Sequence, residues 1–228
     1  MDPRTIDVII PAFNEEAAIG RVLRDLPRGL VRRVVVVDNA STDRTAAVAA
    51  AAGATIVHEP RRGYGSACLA GIRRLAADPP RIVVFLDGDY SDRPQEISAI
   101  VAPLLDGAAD LVVGSRVSGE HEPGALLPQA RFGNWLATRL IRLLHGQRMT
   151  DLGPFRAIDW DCLTALSMRD PDFGWTVEMQ VKAARAGLRY REVPVSYRRR
   201  IGTSKITGTF SGSFRAGWKI LYTIFRLY

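Results

Sequence analysis

The sequence predicts an α/β protein, a mostly parallel sheet flanked by helices. Three observations carry that prediction. Short β-branched runs recur through the first half of the chain, they are almost continuously apolar, and stretches of helical composition separate them. A strand buried on both faces has no solvent side to keep polar, so unbroken Val/Ile runs point to a parallel sheet with helices on both faces. Repeated strand–helix–strand order is how such a sheet is wound.

In chain order, the strands are "IDVII" (6–10), "RVVVVD" (33–38), "ATIVHE" (54–59), "RIVVFLD" (81–87) and "ADLVVGS" (109–115). Helical stretches fill 15–26, 43–52, 65–77 and 94–105. "STDR" at 41–44 and "SDRPQE" at 91–96 read as helix starts, because Ser, Thr and Asp side chains accept from first-turn N–H groups and proline suits the first turn. After residue 115 the rhythm breaks. A Gly/Pro-containing loop (118–128) leads to a helix at 130–145, a short segment "LGPFRAI", a helix at 175–187 and a last strand "YREVPVSYR" at 190–198. A basic stretch with Gly and Ser follows, then a helix from about 211. With no internal repeat and no low-complexity linker, the expected division is one domain over 1–208 and a C-terminal helix over 209–228.

Apolar residues make up 47% and charged residues 24% of the 228, a balance that excludes a disordered chain and allows a substantial core. The net charge of +7 comes from arginine, 28 residues against Lys182, Lys205 and Lys219. Guanidinium forks match phosphate oxygens, so this excess points to phosphate-bearing partners, with codon usage as the plain alternative. Cys68 and Cys162 are isolated and lack metal-type spacing, as expected of packing residues in a reducing cytoplasm. The first residues show no signal-peptide pattern, and no run of about 18 apolar residues is available to span a bilayer.

Ligands of parallel sheets bind beyond the carboxyl ends of the strands. Three strands end there in polar signals: "PAFNEE", "DNASTD" and "DGDYSD". The last places Asp87, Asp89 and Asp92 within six positions. Asp92 has an ordinary use as a cap for the helix near Pro94, whereas Asp87 and Asp89 have no such use. Two carboxylates one residue apart can share a hard divalent cation, Mg2+ or Mn2+, which in turn grips a diphosphate.

The ordered motifs "VIIPAFNEEAAIGRVL", "VVVVDNASTDRT", "RRGYGSA", "FLDGDYSD", "VVGSR" and "DLGPFRA" resemble those of family 2 glycosyltransferases with a GT-A fold, from about residue 6 to residue 205. The subgroup they resemble is the dolichyl- or polyprenyl-phosphate hexosyltransferases. The resemblance implies a nucleotide pocket lined by Pro11, Ala12, Asn14 and Glu15, with Asp38 on the base or ribose. It puts Arg62, Gly63 and Gly65 near the nucleotide, the glycines admitting close backbone approach. Asp87 would face ribose or sugar and Asp89 would be the principal metal ligand. Ser91 completes the implied metal set, where the lipid-phosphate enzymes commonly carry glutamine. Arg200, Ser204 and Lys205 match the segment that closes over the donor diphosphate.

The implied reaction is inverting transfer of a hexose from a nucleotide-diphosphate sugar, GDP-mannose ranked slightly ahead of UDP-glucose. Relatives acting on hydroxyls often carry a Glu-Asp pair as base on a late helix, and "GWTVEMQ" offers Glu178 without the aspartate. An acceptor phosphate is already ionised near neutral pH and needs no base. Asp151 and Glu178 stay as candidate bases or acceptor-orienting groups, and Arg116, Arg131 and Arg156 match acceptor-phosphate positions.

Two basic amphipathic stretches bear on the acceptor. Phe132, Leu136, Leu140 and Leu143 fall at helical spacing with Arg131, Arg139 and Arg142 on another side. In the tail, Phe214, Trp218, Leu221, Tyr222 and Phe225 oppose Arg215, Lys219 and Arg226. Such helices lie in a membrane interface, pack into a core or meet another subunit, possible homo-oligomers included. The expectation is a peripheral protein at the inner face of the membrane. Alternatives are the same chemistry on a soluble sugar phosphate or hydroxyl, and a non-catalytic nucleotide-sugar or nucleic-acid module. Acidic strand ends and the lack of an RNP-type aromatic motif speak against nucleic acid.

Overall fold

The computed structural model describes residues 5–202 and 210–227. Seven strands form one sheet: β1 (Ile6–Ala12), β2 (Arg33–Asp38), β3 (Thr55–His58), β4 (Ile82–Phe85), β5 (Leu111–Ser115), β6 (Arg156–Asp159) and β7 (Tyr190–Pro194). The helices are α1 (Ile19–Asp25), α2 (Thr45–Ala51), α3 (Tyr64–Leu75), α4 (Ile97–Leu105), α5 (Pro128–His145), α6 (Trp160–Ala165), α7 (Trp175–Arg185) and α8 (Phe210–Arg226). The strand order is β3-β2-β1-β4-β6-β5-β7. All neighbours are parallel except β6, which runs antiparallel to both β4 and β5.

Side-chain alternation along β1 divides the core into two layers. Ile6, Val8 and Ile10 face one side with Val22 of α1 and Ile100 of α4. Ile9 faces the other, with Cys68 of α3 and Trp175 and Met179 of α7. Phe85 and Trp175 meet edge to face at 4.7 Å, anchoring α7 to the strand that leads into Asp87. The predicted strands and helices all form, with their ends moved: the helix expected at 15–26 spans Ile19–Asp25 and the strand expected at 190–198 stops at Pro194. The segment "LGPFRAI" differs, since Arg156–Asp159 is a strand and Trp160–Ala165 a helix capped by the Asp159 side chain.

On α5 the predicted apolar stripe divides, with Leu140 partly buried against the core and Phe132 and Leu143 exposed. Ala137, Thr138 and Ile141 turn inward, where the apolar pair meets Val177, Val181 and Ile224. Phe132, at 63% exposure, Trp135 and Leu143 face outward. On α8, Thr223 and Ile224 are buried while Trp218, at 66%, Tyr222 and Phe225 are exposed. Six large hydrophobic side chains are thus exposed on two packed helices, with Arg131, Arg139, Arg142 and Arg226 on the same pair. No helix among the described residues is long and apolar enough to cross a membrane.

Candidate active site

The polar ends of β1, β2 and β4 meet at one edge of the sheet. β1 and β4 are adjacent, with chain connections leaving in opposite directions, so a crevice opens between their carboxyl ends. Among the described residues, three of the four non-glycine residues with positive φ lie in these loops: Asn14 (53°), Ala40 (60°) and Tyr90 (63°). Left-handed conformations disfavour side chains and persist only where surroundings hold them. Tyr90 is held by its hydroxyl on Asp25 Oδ2 (2.5 Å), by Arg198 Nε on its carbonyl (2.6 Å) and by the Arg198 guanidinium 3.4 Å from its ring centroid.

Asn14 fastens the first loop to the second, accepting from Thr42 N at 2.8 Å while its own N–H donates to Ser41 Oγ at 3.0 Å. Glu15 N donates to Thr45 Oγ1 at 2.8 Å. Pro11 and Ala12 pair with Val37 and Asp38 across the two strand ends. Asp38 Oδ1 accepts from Ser41 N and its Oδ2 lies 3.2 Å from His58 Nδ1. Asn39 organises the next loop, donating to the Glu59 and Arg61 carbonyls and accepting from Gly63 N at 2.8 Å. The Arg62 guanidinium stacks 3.2 Å from the centroid of Phe13.

Asp89 is buried and oriented. Its Oδ1 accepts from Ser91 N (2.9 Å) and Ser91 Oγ (2.6 Å), and its Oδ2 lies 3.2 Å from Arg200 Nη2. The same Nη2 is 3.0 Å from Glu15 Oε1, so Arg200 bridges the ends of β1 and β4. Asp87 Oδ1 is enclosed without a hydrogen-bond partner. Burial pushes the Asp87 carboxyl up to about 7, and the Asp89 charge adds to the shift. These two carboxylates fit a hard divalent cation: one has an oxygen with no partner, the other an oxygen met only by a cation. No group of three His, Cys, Asp or Glu able to hold a metal occurs among the described residues. Two carboxylates would therefore leave the other coordination positions to diphosphate oxygens and water.

Several expected roles change in the structure. The Ser91 hydroxyl, expected in the metal set, donates to Asp89 Oδ1 and so orients that carboxylate. Arg156, expected at the acceptor phosphate, is 0% exposed, and its guanidinium donates to the carbonyls of Leu152, Gly153 and Thr176. β6 turns it into the interior, where it ties strand to α7. Asp151, a candidate base, is filled by Arg116 through Nε (2.9 Å), Nη2 (2.7 Å) and the main-chain N–H (2.8 Å). Burial opposes its ionisation, yet Arg116 holds its carboxyl below the usual range. It anchors Arg116 and is not poised to take a proton. Glu178, the other candidate base, accepts from the N–H groups of Arg169 and Asp170 and pairs with Lys182 at 2.7 Å. Its carboxylate shapes the 169–170 turn.

Gly63 and Gly65 also serve a different neighbour from the one expected. A Cβ on Gly63 would overlap the Pro171 carbonyl oxygen, and one on Gly65 the Asp170 carbonyl oxygen. The close approach is to the 170–171 segment of the chain itself, where Ser66 N and Oγ donate to Pro171 O at 2.8 and 3.1 Å. No motif marks that segment in the sequence, where "RDPDFG" has only the composition of a turn. Asp92 does not cap the helix near Pro94: Arg93 holds the cap position without a side-chain bond, and both Asp92 oxygens are buried and unpartnered. Burial pushes its carboxyl well up, and Asp87 adds to the effect. Arg131 is exposed on the first turn of α5. One turn on, Asn134 bonds the 150–152 segment beside Asp151. Ser204 and Lys205 lie outside the described residues. The large open cleft of about 590 Å³ is elsewhere, at the amino ends of the strands, lined by Arg28, Arg32, Arg33 and Asp78. Arg32 and Arg33 there are paired with Asp7 and Asp78.

A sheet wound this way, with an acidic and cationic crevice at its switch point, defines the GT-A class of nucleotide-sugar folds. A family model described as glycosyl transferase family 2 matches residues 7–164, and the chain belongs to that family and is a glycosyltransferase. It is 41% identical over 222 residues to a glycosyltransferase of Mycobacterium tuberculosis, covering 95% of this chain and 97% of the relative. It is 33% identical over 217 residues to the dolichyl-phosphate hexose transferase of Haloferax volcanii, covering 94% and 91%. Glucosyl-3-phosphoglycerate synthase of M. tuberculosis, solved with Mn2+, UDP and phosphoglyceric acid, superposes with a TM-score of 0.79 at 27% identity, covering 98% of this chain and 78% of that one.

Proposed function

We propose that the protein transfers a hexose from a nucleoside-diphosphate hexose to a polyprenyl phosphate at a membrane surface. The observation that carries this reading is the outer face of α5 and α8, where Phe132, Trp135, Leu143, Trp218, Tyr222 and Phe225 are exposed beside basic residues. A water-soluble acceptor requires no such face, whereas a lipid phosphate presents its head group at a bilayer surface. Near-full-length similarity to a dolichyl-phosphate hexose transferase, and to an undecaprenyl-phosphate mannosyltransferase of Micrococcus luteus at 31% identity, supports it. On this reading the protein works peripherally, at the cytoplasmic face.

Pro11, Ala12, Asn14, Glu15, Asp38 and Arg62 would line the nucleotide pocket. Asp87 and Asp89 would hold Mg2+ or Mn2+, which when bound supplies Lewis-acid stabilisation of the departing nucleoside diphosphate. Arg200, which bridges Glu15 and Asp89, would neutralise charge building on the diphosphate together with Lys205, and Ser204 would donate a hydrogen bond to it. Arg116, fixed by Asp151, and Arg131 would hold the acceptor phosphate for in-line attack with inversion. That phosphate needs no proton removed, in keeping with Asp151 and Glu178 both being committed to other bonds.

The test is incubation with labelled GDP-mannose or UDP-glucose, Mn2+ and undecaprenyl phosphate. Organic-extractable label is expected, and its absence with both donors would overturn the lipid acceptor. A second reading, a soluble phosphate-bearing acceptor, is favoured by the likeness to glucosyl-3-phosphoglycerate synthase. Label in the aqueous phase with 3-phosphoglycerate would select it.

A further inference from the structure

Among the described residues, Asp92 is the only carboxylate whose two oxygens are both buried and both without a hydrogen-bond partner. Slack in the chain does not explain this. Asp92 forms an antiparallel bridge with Tyr197, Arg198 Nη2 donates to its carbonyl at 3.2 Å, and Arg198 N donates to the Ser91 carbonyl at 2.9 Å. Its backbone is clamped while its side chain is left unsatisfied. An enclosed carboxylate without donors disfavours the folded state, and such groups persist where a ligand completes them.

The surroundings restrict what that ligand is. The charges that bear on it most are Asp87, Arg116, Asp89 and Asp151, three carboxylates and one guanidinium. The Arg116 guanidinium is already paired twice with Asp151. A phosphate touching Asp92 would lie among Asp87, Asp89 and Asp151, where the one guanidinium is already committed to Asp151. A metal shared by all three aspartates of "DGDYSD" does not fit, since they do not converge as a set of three. Neutral O–H donors remain, and two carboxylate oxygens can accept from two or more of them.

A nucleotide-sugar donor carries hydroxyls on its ribose and on its hexose, and the hexose brings the larger number. We infer that Asp92 accepts hydrogen bonds from hydroxyls of the transferred hexose and is a specificity-determining residue for the donor sugar. This deepens the donor reading and rests on it. A buried acceptor built for hydroxyls rejects a sugar lacking them, because its oxygens are then left unpaired.

The experiment compares bare nucleotide with nucleotide sugar. Wild type and Asp92→Asn are titrated by calorimetry with UDP, UDP-glucose, GDP and GDP-mannose, each with Mn2+. The variant is expected to bind the bare nucleotide within twofold of wild type and the matching nucleotide sugar at least tenfold more weakly. Equal weakening of both would make Asp92 part of the metal and diphosphate site and overturn the assignment. No weakening of either would also overturn it. Without ligand, Asp92→Asn is expected to melt at or above the wild-type temperature, because it removes an enclosed carboxyl whose ionisation burial opposes. A markedly lower melting temperature would show a structural contact instead and overturn the inference. Wild type that binds none of the four overturns the donor reading and this assignment together, which separates the two failures.

Discussion

Burial, reinforced by Asp89, raises the Asp87 carboxyl to about 7 against the pull of Arg200 and Arg116. A divalent cation binds the ionised form, so below that value metal must displace a proton. Mn2+ affinity is expected to fall about tenfold per pH unit below 7 and to level off above it. Calorimetry in buffers of different ionisation enthalpy checks this, and a flat profile from pH 5 to 8 would contradict it. The sign for stability is opposite. The fold favours neutral Asp87, so its contribution is complete below the ordinary value of 3.8 and is lost as pH rises through about 7. Asp89→Ala is expected to abolish transfer while leaving the fold intact, and activity within tenfold of wild type would refute the metal role. Arg156→Met should lower stability by about 3 kcal/mol or more, since buried carbonyls lose their donor, with transfer per folded molecule retained. Denaturant melts paired with kinetics separate that outcome from an acceptor role. The acidic strand ends were legible because charge after an apolar strand has few structural uses. The commitments of Arg156, Asp151 and Glu178 were not, because residue type does not reveal which way a side chain turns or what already fills it.

At the scale of elements, runs such as "RVVVVD" announce themselves by composition, and the first five strands form where expected. β6 escaped because "RAID" has four residues, one of them arginine, and its antiparallel course follows no βαβ rhythm. The glycines of "RRGYGSA" were visible, but their neighbour lies more than a hundred residues on, at Asp170 and Pro171. Gly65→Ala is therefore expected to push the 170–171 segment off α3 and raise the donor KM at least tenfold, measured in the transfer assay. An unchanged KM would mean the segment yields freely. The outer faces of α5 and α8 make a separate prediction. Trp135→Ser with Trp218→Ser should reduce co-sedimentation with anionic vesicles without lowering the melting temperature, because both side chains are exposed. Unchanged sedimentation together with a shift from dimer to monomer would assign the face to a second copy of the chain.

For the molecule as a whole, the charge of +7 means that attraction to an anionic bilayer adds to burial of the aromatic face. Vesicle binding should weaken as salt rises from 0.05 to about 0.5 M, as the Debye length shrinks, but not vanish. Complete loss in high salt would leave the exposed aromatic side chains without a role at the bilayer. The antiparallel β6 has a last consequence, which concerns how the molecule is made. β4 ends at Phe85, but the strand that fills its second edge does not begin until Arg156. During synthesis the ribosome releases β5 well before β6, and β5 cannot reach β4 directly because β6 lies between them. The strand that leads into the Asp87–Asp89 loop therefore waits with an open edge while the intervening residues emerge. Nascent chains arrested before Arg156 should be protease-sensitive and held by chaperones, and those arrested beyond α8 should be resistant, which would make the Asp87–Asp89 loop one of the last parts of the protein to become rigid.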